Sequence, residues 1–146
     1  MGMNYKELRN SGKKTELRDG KISSLLIEAA IRVPKSLGPG FLESFYEEAL
    51  VIELTESGIP FERQKSIVLK YKGYPVGEHR LDLLVAAKLV VELKAIKEIE
   101  PIHFSIVRSY MKAVGVESGL ILNFGAMPLS IKRVARESSL LEFLSS

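Results

Sequence analysis

The chain has 146 residues, 46% of them hydrophobic and 27% charged, and it contains no cysteine. That length fits one domain with a core of its own, and the missing cysteines exclude disulfides, thiolate metal sites and cysteine nucleophiles. Twenty-one basic against 18 acidic residues leave a net charge of +3 and a pI near 9.1, a balance that permits a nucleic-acid partner without demanding one.

Residues 1–20 are polar and read as a leader, and residues 21–146 as a single domain. The N-terminus has no apolar signal core, and no apolar run approaches the roughly 18 residues that a membrane helix needs. A cytoplasmic protein with no membrane partner is the default expectation. Ile22 to Val33 is predicted helical, because Ile22, Leu25, Leu26, Ala29, Ala30 and Val33 recur along one stripe. Pro34 is expected to end or kink that helix.

After the break Leu37-Gly38-Pro39-Gly40, a second helix is expected from about Phe41 to Ser57, stopped by Gly58. Its stripe Leu42, Phe45, Ala49 and Ile52 is expected to pack on a sheet, with Glu48, Glu53 and Glu56 on a solvated face. Phe61–Tyr71, Tyr74–Val85 and Leu89–Ile96 read as three strands joined by short turns, an antiparallel meander. Arg63, Gln64 and Lys65 open the meander as a phosphate path or a solvated edge. Ile102–Val114 is a third helix, started beside His103 and ended by Gly115. Ser118–Phe124 then suits a parallel strand reached by a right-handed crossover, and Leu129–Val134 a final edge strand. Leu140, Leu141, Phe143 and Leu144 form an amphipathic tail that would cover the domain or a second subunit.

The chemistry concentrates in Gly77–Ile96. Strand side chains alternate faces, so Glu92 and Lys94 share one face of their strand. A hairpin centred on Ala87 pairs Val85 with Leu89 and sets Asp82 opposite Glu92. Like charges so opposed are destabilising, and two carboxylates in apolar strands need a cation. Lys94 supplies one charge, and a divalent metal such as Mg2+ or Mn2+ would supply more. The turn Ala86-Ala87-Lys88 lacks the glycine that hairpin loops favour in the left-handed conformation.

Asp82 followed by Glu92-Leu93-Lys94 resembles the signature of the PD-(D/E)XK nucleases, with Leu81 in place of the proline. Gly40-Phe41-Leu42-Glu43-Ser44-Phe45-Tyr46 resembles the motif that names the GxxExxY family of that superfamily, and the similarity extends over about residues 21–135. It includes Gly58-Ile59-Pro60-Phe61-Glu62-Arg63-Gln64 and Leu122-Asn123-Phe124-Gly125. The resemblance implies a restriction-endonuclease-like α/β fold: a mixed sheet of the three-stranded meander plus a crossover helix and further strands, flanked by helices. It implies metal ligation by Asp82, Glu92 and the carbonyl of Leu93, with Glu43, or Glu47 one turn later, adding a carboxylate. Tyr46 reads as a packing residue with a hydrogen-bonded hydroxyl. The family often has a histidine near position 34, where this chain has Pro34. Superfamily nucleases often carry a site-facing glutamine four residues before a tyrosine on the third helix, and Ile106 stands there, before Tyr110.

Three readings follow. In the first, a Mg2+-dependent nuclease hydrolyses nucleic acid, DNA being expected, with Asp82, Glu92, Lys94 and Glu43 as catalytic residues. Arg108 and Lys112, one turn apart, would meet the nucleic-acid backbone, and a homodimer suits an enzyme that cuts both strands. In the second, a non-catalytic nucleic-acid-binding or protein-interaction module keeps the fold, as Ile106 suggests. In the third, Asp82, Glu92 and Lys94 form only a structural ion cluster, a poor source of stability.

Overall fold

Leu89-Val90-Val91-Glu92-Leu93-Lys94 is too apolar to leave either face in water, and it becomes a strand covered on both sides. The structure is a computed structural model that describes residues 19–136. The leader expected over residues 1–20 falls outside the described residues, apart from the backbone of its last two, and the amphipathic tail falls outside them too.

The element order is α1 (Asp19–Leu37), α2 (Glu43–Glu56), β1 (Phe61–Tyr71), β2 (Tyr74–Val85), β3 (Leu89–Lys94), α3 (Pro101–Val114), β4 (Ser118–Asn123) and β5 (Ser130–Ala135). The five strands lie in one sheet in sequence order. β1, β2 and β3 form the antiparallel meander, β4 runs parallel to β3 after α3, and β5 returns antiparallel along β4. This is the mixed α/β sheet expected from the sequence.

Two apolar layers hold the sheet between helices. On one face Leu83, Val85, Leu89, Val91, Leu93, Leu120, Leu122 and Phe124 meet the α1 stripe and Tyr46, Leu50 and Leu54 of α2. On the other, Leu81, Leu84, Val90, Ile121 and Val134 meet Val107, Tyr110 and Met111 of α3. Each buried aliphatic side chain contributes about 1.5–3 kcal/mol, so β3 and β4, buried except at Lys94 and Ser118, anchor everything the other strands carry. Among the described residues no helix is long and apolar enough to cross a membrane.

Two helices differ from expectation. α1 does not end at Pro34 but runs through it to Leu37. Leu37 packs against the core, and that packing offsets the backbone bond that a proline cannot donate. α2 begins at Glu43, and its buried stripe is Tyr46, Glu47, Leu50 and Leu54. Leu42, Phe45 and Ile52, expected to pack on the sheet, are instead exposed, Leu42 by 69%. The helix is apolar on two sides, and tertiary packing selects the side with the larger, better-spaced residues.

The β2–β3 turn is made without glycine. Ala86 and Ala87 both take positive φ, 52° and 56°, and the Lys88 N–H donates to the Val85 carbonyl at 3.0 Å. Mirror-image hairpin turns require this backbone, which costs an L-residue roughly 1–2 kcal/mol. Ala87→Gly is therefore expected to stabilise the protein by about 0.5–1 kcal/mol, a gain read as a higher urea midpoint at unchanged slope. A lower midpoint would show that the turn is not strained.

Candidate active site

β2 and β3 pair only from Val85↔Leu89 to Leu83↔Val91. The next step would oppose Asp82 and Glu92, and here the strands part. Their side chains take over the bonding. The Leu93 N–H donates to Asp82 Oδ2 at 2.8 Å, and the Asp82 N–H donates to Glu92 Oε1 at 3.0 Å. Each carboxylate thus satisfies a strand N–H beside the other, and the fork holds both acids side by side in the sheet.

The fork is also open towards β1. The β1–β2 register runs from Arg63↔Leu83 to Lys65↔Leu81 and skips Gln64, which would face Asp82. Gln64 has φ of +47°, a left-handed conformation unusual for its residue type. From there its amide nitrogen lies 2.9 Å from Glu47 Oε1 and 3.4 Å from Asp82 Oδ1. The other Glu47 oxygen accepts from Arg63 at 2.8 Å, and Arg63 also binds Glu48 at 2.6 Å. Buried Glu47 is thus held by the start of β1. Glu48, expected on a solvated face, is exposed but ion-paired. Arg63 lowers its carboxyl below the ordinary value by a hydrogen bond and by its charge.

Glu43 opens α2, half-buried. Burial raises its carboxyl above the ordinary 4.5, the Asp82 charge adds to the rise, and Lys94 opposes it. Asp82 is raised mainly by burial, against the N–H of Leu93. Glu92 is pushed up to about 8 by burial first and by the Asp82 charge second, while the Asp82 N–H and Lys94 pull the other way. Burial and the charges of Glu92 and Asp82 also push Tyr110 up to about 12. Three carboxyls therefore share a region short of positive charge.

Glu92 and Lys94 face one recess, lined also by His103, Ile106, Val107 and Ile121. His103 accepts the Glu100 N–H on Nδ1 at 2.8 Å. This fixes the start of α3 and leaves the proton of the neutral ring on Nε2. His103 thus caps the helix start, as its position suggests, and also lines the site; Gln64, open between a phosphate path and a solvated edge, reaches it as well. The cue for Gln64 was its place beside Arg63 in a motif; its backbone twist had no sequence signal.

Arg108 lies elsewhere. Its Nε donates to the Ala135 carbonyl at 3.3 Å, and Ala135 pairs with Ser118, which pairs with Leu89. Leu89 is five residues from Lys94, about 16 Å along the strand. Lys112, one turn further along α3, is exposed.

The remaining motif residues build the frame. Gly40 has φ of +94°, which glycine alone adopts freely. Tyr46 donates its hydroxyl to the Gly38 carbonyl at 2.8 Å, accepts the Phe41 N–H, and stacks on Phe124 at 4.8 Å. It is the packing residue with a bonded hydroxyl that was expected. Asn123, 1% exposed, accepts the N–H groups of Ile96 and Gly125 and donates to the Ile96 carbonyl. A Cβ on Gly125 would collide with the Ile96 carbonyl and lie 2.6 Å from its nitrogen. Asn123 and Gly125 together clamp the chain just after Lys94.

A family model described as the PD-(D/E)XK nuclease superfamily matches residues 20–134. The chain belongs to the PD-(D/E)XK nuclease superfamily. Among solved structures it is similar to an alkaline exonuclease, LHK-Exo, from Laribacter hongkongensis. The TM-score is 0.51 at 12% identity, over 90% of this chain and 77% of that one. The structure of SSO0001 gives a TM-score of 0.45 at 13% identity, over 95% and 77%. No curated protein matches. At these identities the likeness to LHK-Exo shows the fold.

PD-(D/E)XK nucleases generally use divalent metals. Among the described residues no three Asp, Glu, His or Cys side chains converge as a ready ligand set. Asp82 and Glu92 nonetheless fit a hard cation in donor chemistry: two adjacent carboxylates whose proton affinity is raised by burial and mutual repulsion.

A pH dependence follows for the metal-free protein. Glu92 keeps its proton to about pH 8 when folded but loses it near 4.5 when unfolded. Between these values the folded state binds more protons, so stability falls as pH rises. The melting midpoint is expected to drop by about 5 °C or more from pH 5.5 to pH 8 in EDTA, and Glu92→Gln is expected to flatten the slope. Equal slopes for the two proteins would remove Glu92 as the cause.

Proposed function

We propose that this protein is a divalent-metal-dependent nuclease that hydrolyses phosphodiester bonds at the fork between β2 and β3. The observation that carries the reading is the side-by-side placement of Asp82 and Glu92, with Lys94 on the Glu92 face. Asp82 and Glu92 would hold Mg2+ or Mn2+, with Glu43 and the Leu93 carbonyl completing the set. The half-buried position of Glu43 near Asp82 and Lys94 supports it over Glu47, whose two oxygens are taken by Arg63 and Gln64.

When bound, the metal supplies Lewis-acid stabilisation of phosphoryl oxygens and a more acidic water. Lys94 orients the attacking water by hydrogen bonding and neutralises charge building on the phosphoryl group. The Nε2–H of His103 donates to a phosphate oxygen in the recess. Gln64 fixes the Asp82 carboxylate against rotation. Arg108 and Lys112 would meet backbone phosphates away from the scissile bond. DNA is the substrate to test first. A cytoplasmic setting and a homodimer belong to the same proposal, and the exposed Leu42, Phe45 and Ile52 of α2 offer a face for the second copy.

One observation favours a second reading. Ile106 puts an aliphatic side chain in the recess beside Glu92 and Lys94, which suits a nucleic-acid-binding module that has lost catalysis.

Calorimetric titration of Mn2+ and Mg2+ separates the two. Saturable binding is expected in the parent and not in folded Asp82→Asn or Glu92→Gln. Cleavage of DNA by the parent is expected to fall about 10²- to 10⁴-fold in Lys94→Ala. A parent that binds no Mn2+ and cuts no nucleic acid would sink the nuclease reading.

A further inference from the structure

Among the described residues the longest strand pairing, β1 with β2, runs past the end of β3. β1 and β2 pair from Phe61↔Val85 to Tyr71↔Tyr74, with a gap at Gln64 and Asp82 and a register shift between Leu69 and Lys70, while β2 meets β3 only over Leu83–Val85. Residues 66–80 therefore form a two-stranded arm rooted at the fork. Its base is fixed: Ile67 is buried against the α3 layer, Leu69 packs beside it, and the His79 ring stacks on Tyr110 at 4.9 Å. Its tip is bare. Tyr71 is 64% exposed and Tyr74 73%. An isolated apolar hairpin gains nothing from such residues, since two strands alone are marginally stable in water.

The tip has a distinct chemistry. Tyr71 and Tyr74 are directly opposed, so their rings stand on one face of the arm. Lys70 and Lys72 flank Tyr71, and the Lys72 ammonium lies 5.6 Å from its ring centroid. Over residues 66–80 the charged side chains are Lys70, Lys72 and Arg80 against Glu78. Paired exposed aromatic rings among cations are what an unpaired nucleic-acid strand needs, bases stacking on the rings and phosphates meeting the lysines. A base inside a duplex has both faces covered by its neighbours. The rings thus select a single strand over a duplex.

We infer that the β1–β2 arm is a grip for single-stranded nucleic acid, with Tyr71 and Tyr74 as base-stacking residues and Lys70 and Lys72 as phosphate contacts. The inference names the substrate class for the proposed nuclease and rests on that reading. Asp82 lies eight residues from Tyr74 along β2, about 26 Å, so the arm holds the strand at a distance from the fork.

The test is fluorescence anisotropy of a labelled 20-nucleotide oligo-dT and a labelled blunt 20-base-pair duplex, in EDTA to prevent cleavage. The proteins are the full chain and its Tyr71→Ala/Tyr74→Ala and Lys70→Ala/Lys72→Ala variants. The parent is expected to bind oligo-dT more tightly than the duplex. The tyrosine variant is expected to lose at least about tenfold for oligo-dT with little change in salt dependence, and the lysine variant to show a shallower salt dependence. Unchanged far-ultraviolet circular dichroism and melting midpoint establish that the variants fold. Parent-like oligo-dT binding by the tyrosine variant would overturn the assignment, as would a parent that binds no oligo-dT. So would a parent dimer, seen by sedimentation, that the tyrosine variant converts to monomer, because the rings would then belong to a second copy. Metal-supported cleavage of the same oligo-dT by the parent reports separately on the nuclease reading. Arm-dependent binding without cleavage would leave the grip standing and remove the enzyme.

Discussion

The structure turns on the exchange of hydrogen bonds between Asp82 and Glu92. Two strands that part in the middle of a sheet leave N–H groups without partners, and a buried N–H without a partner costs about 1–3 kcal/mol. Here the carboxylates accept those groups. The same exchange brings two negative charges together in a buried place, which is costly unless protons or cations compensate. One geometry thus closes the backbone ledger and creates a demand for positive charge. Lys94 meets part of it, and Gln64 and the Arg63-bound Glu47 stiffen the side facing β1.

The motif residues divide by what they do at this fork. Glu43 brings charge to it. Gly40 and Tyr46 shape the loop from which Glu43 is presented, and the Tyr46 ring rests on Phe124, next to Asn123. Asn123 and Gly125 hold the chain leaving Lys94, one by imitating a strand's hydrogen bonds and the other by having no side chain. Residues far apart in sequence thus converge on a short length of β3. Those remote residues act through shape, and the acidic and basic ones through field.

Much of this was legible in the residue pattern, and the parts that were not share a cause. The meander, the parallel fourth strand and the shared face of Glu92 and Lys94 follow from alternation and turn spacing, which are local. The side of α2 that faces the sheet is not local. Leu42, Phe45 and Ile52 compete with Tyr46, Leu50 and Leu54 for burial, and only the assembled sheet decides between them. Pro34 was misleading for the same reason, because Leu37 finds a core only in three dimensions. The place of Gln64 at the fork has no local signal either, because a left-handed backbone at glutamine has no signature in composition. Arg108 and Lys112 have the right spacing on a helix, but spacing does not reveal that Arg108 is tied to Ala135, at the far end of the strands from Lys94.

The interruption at Gln64 and Asp82 has a mechanical side. Ladder pairing is interrupted on both flanks of Asp82 at the same level, and beyond it β1 and β2 pair again with a register shift between Leu69 and Lys70. The contacts of Ile67 and His79 with the α3 side hold the near half of that ribbon. A bend in the ribbon therefore falls at the shift, outside those contacts. Motion of the tip is kept away from the Leu93 and Asp82 N–H groups that bridge the fork.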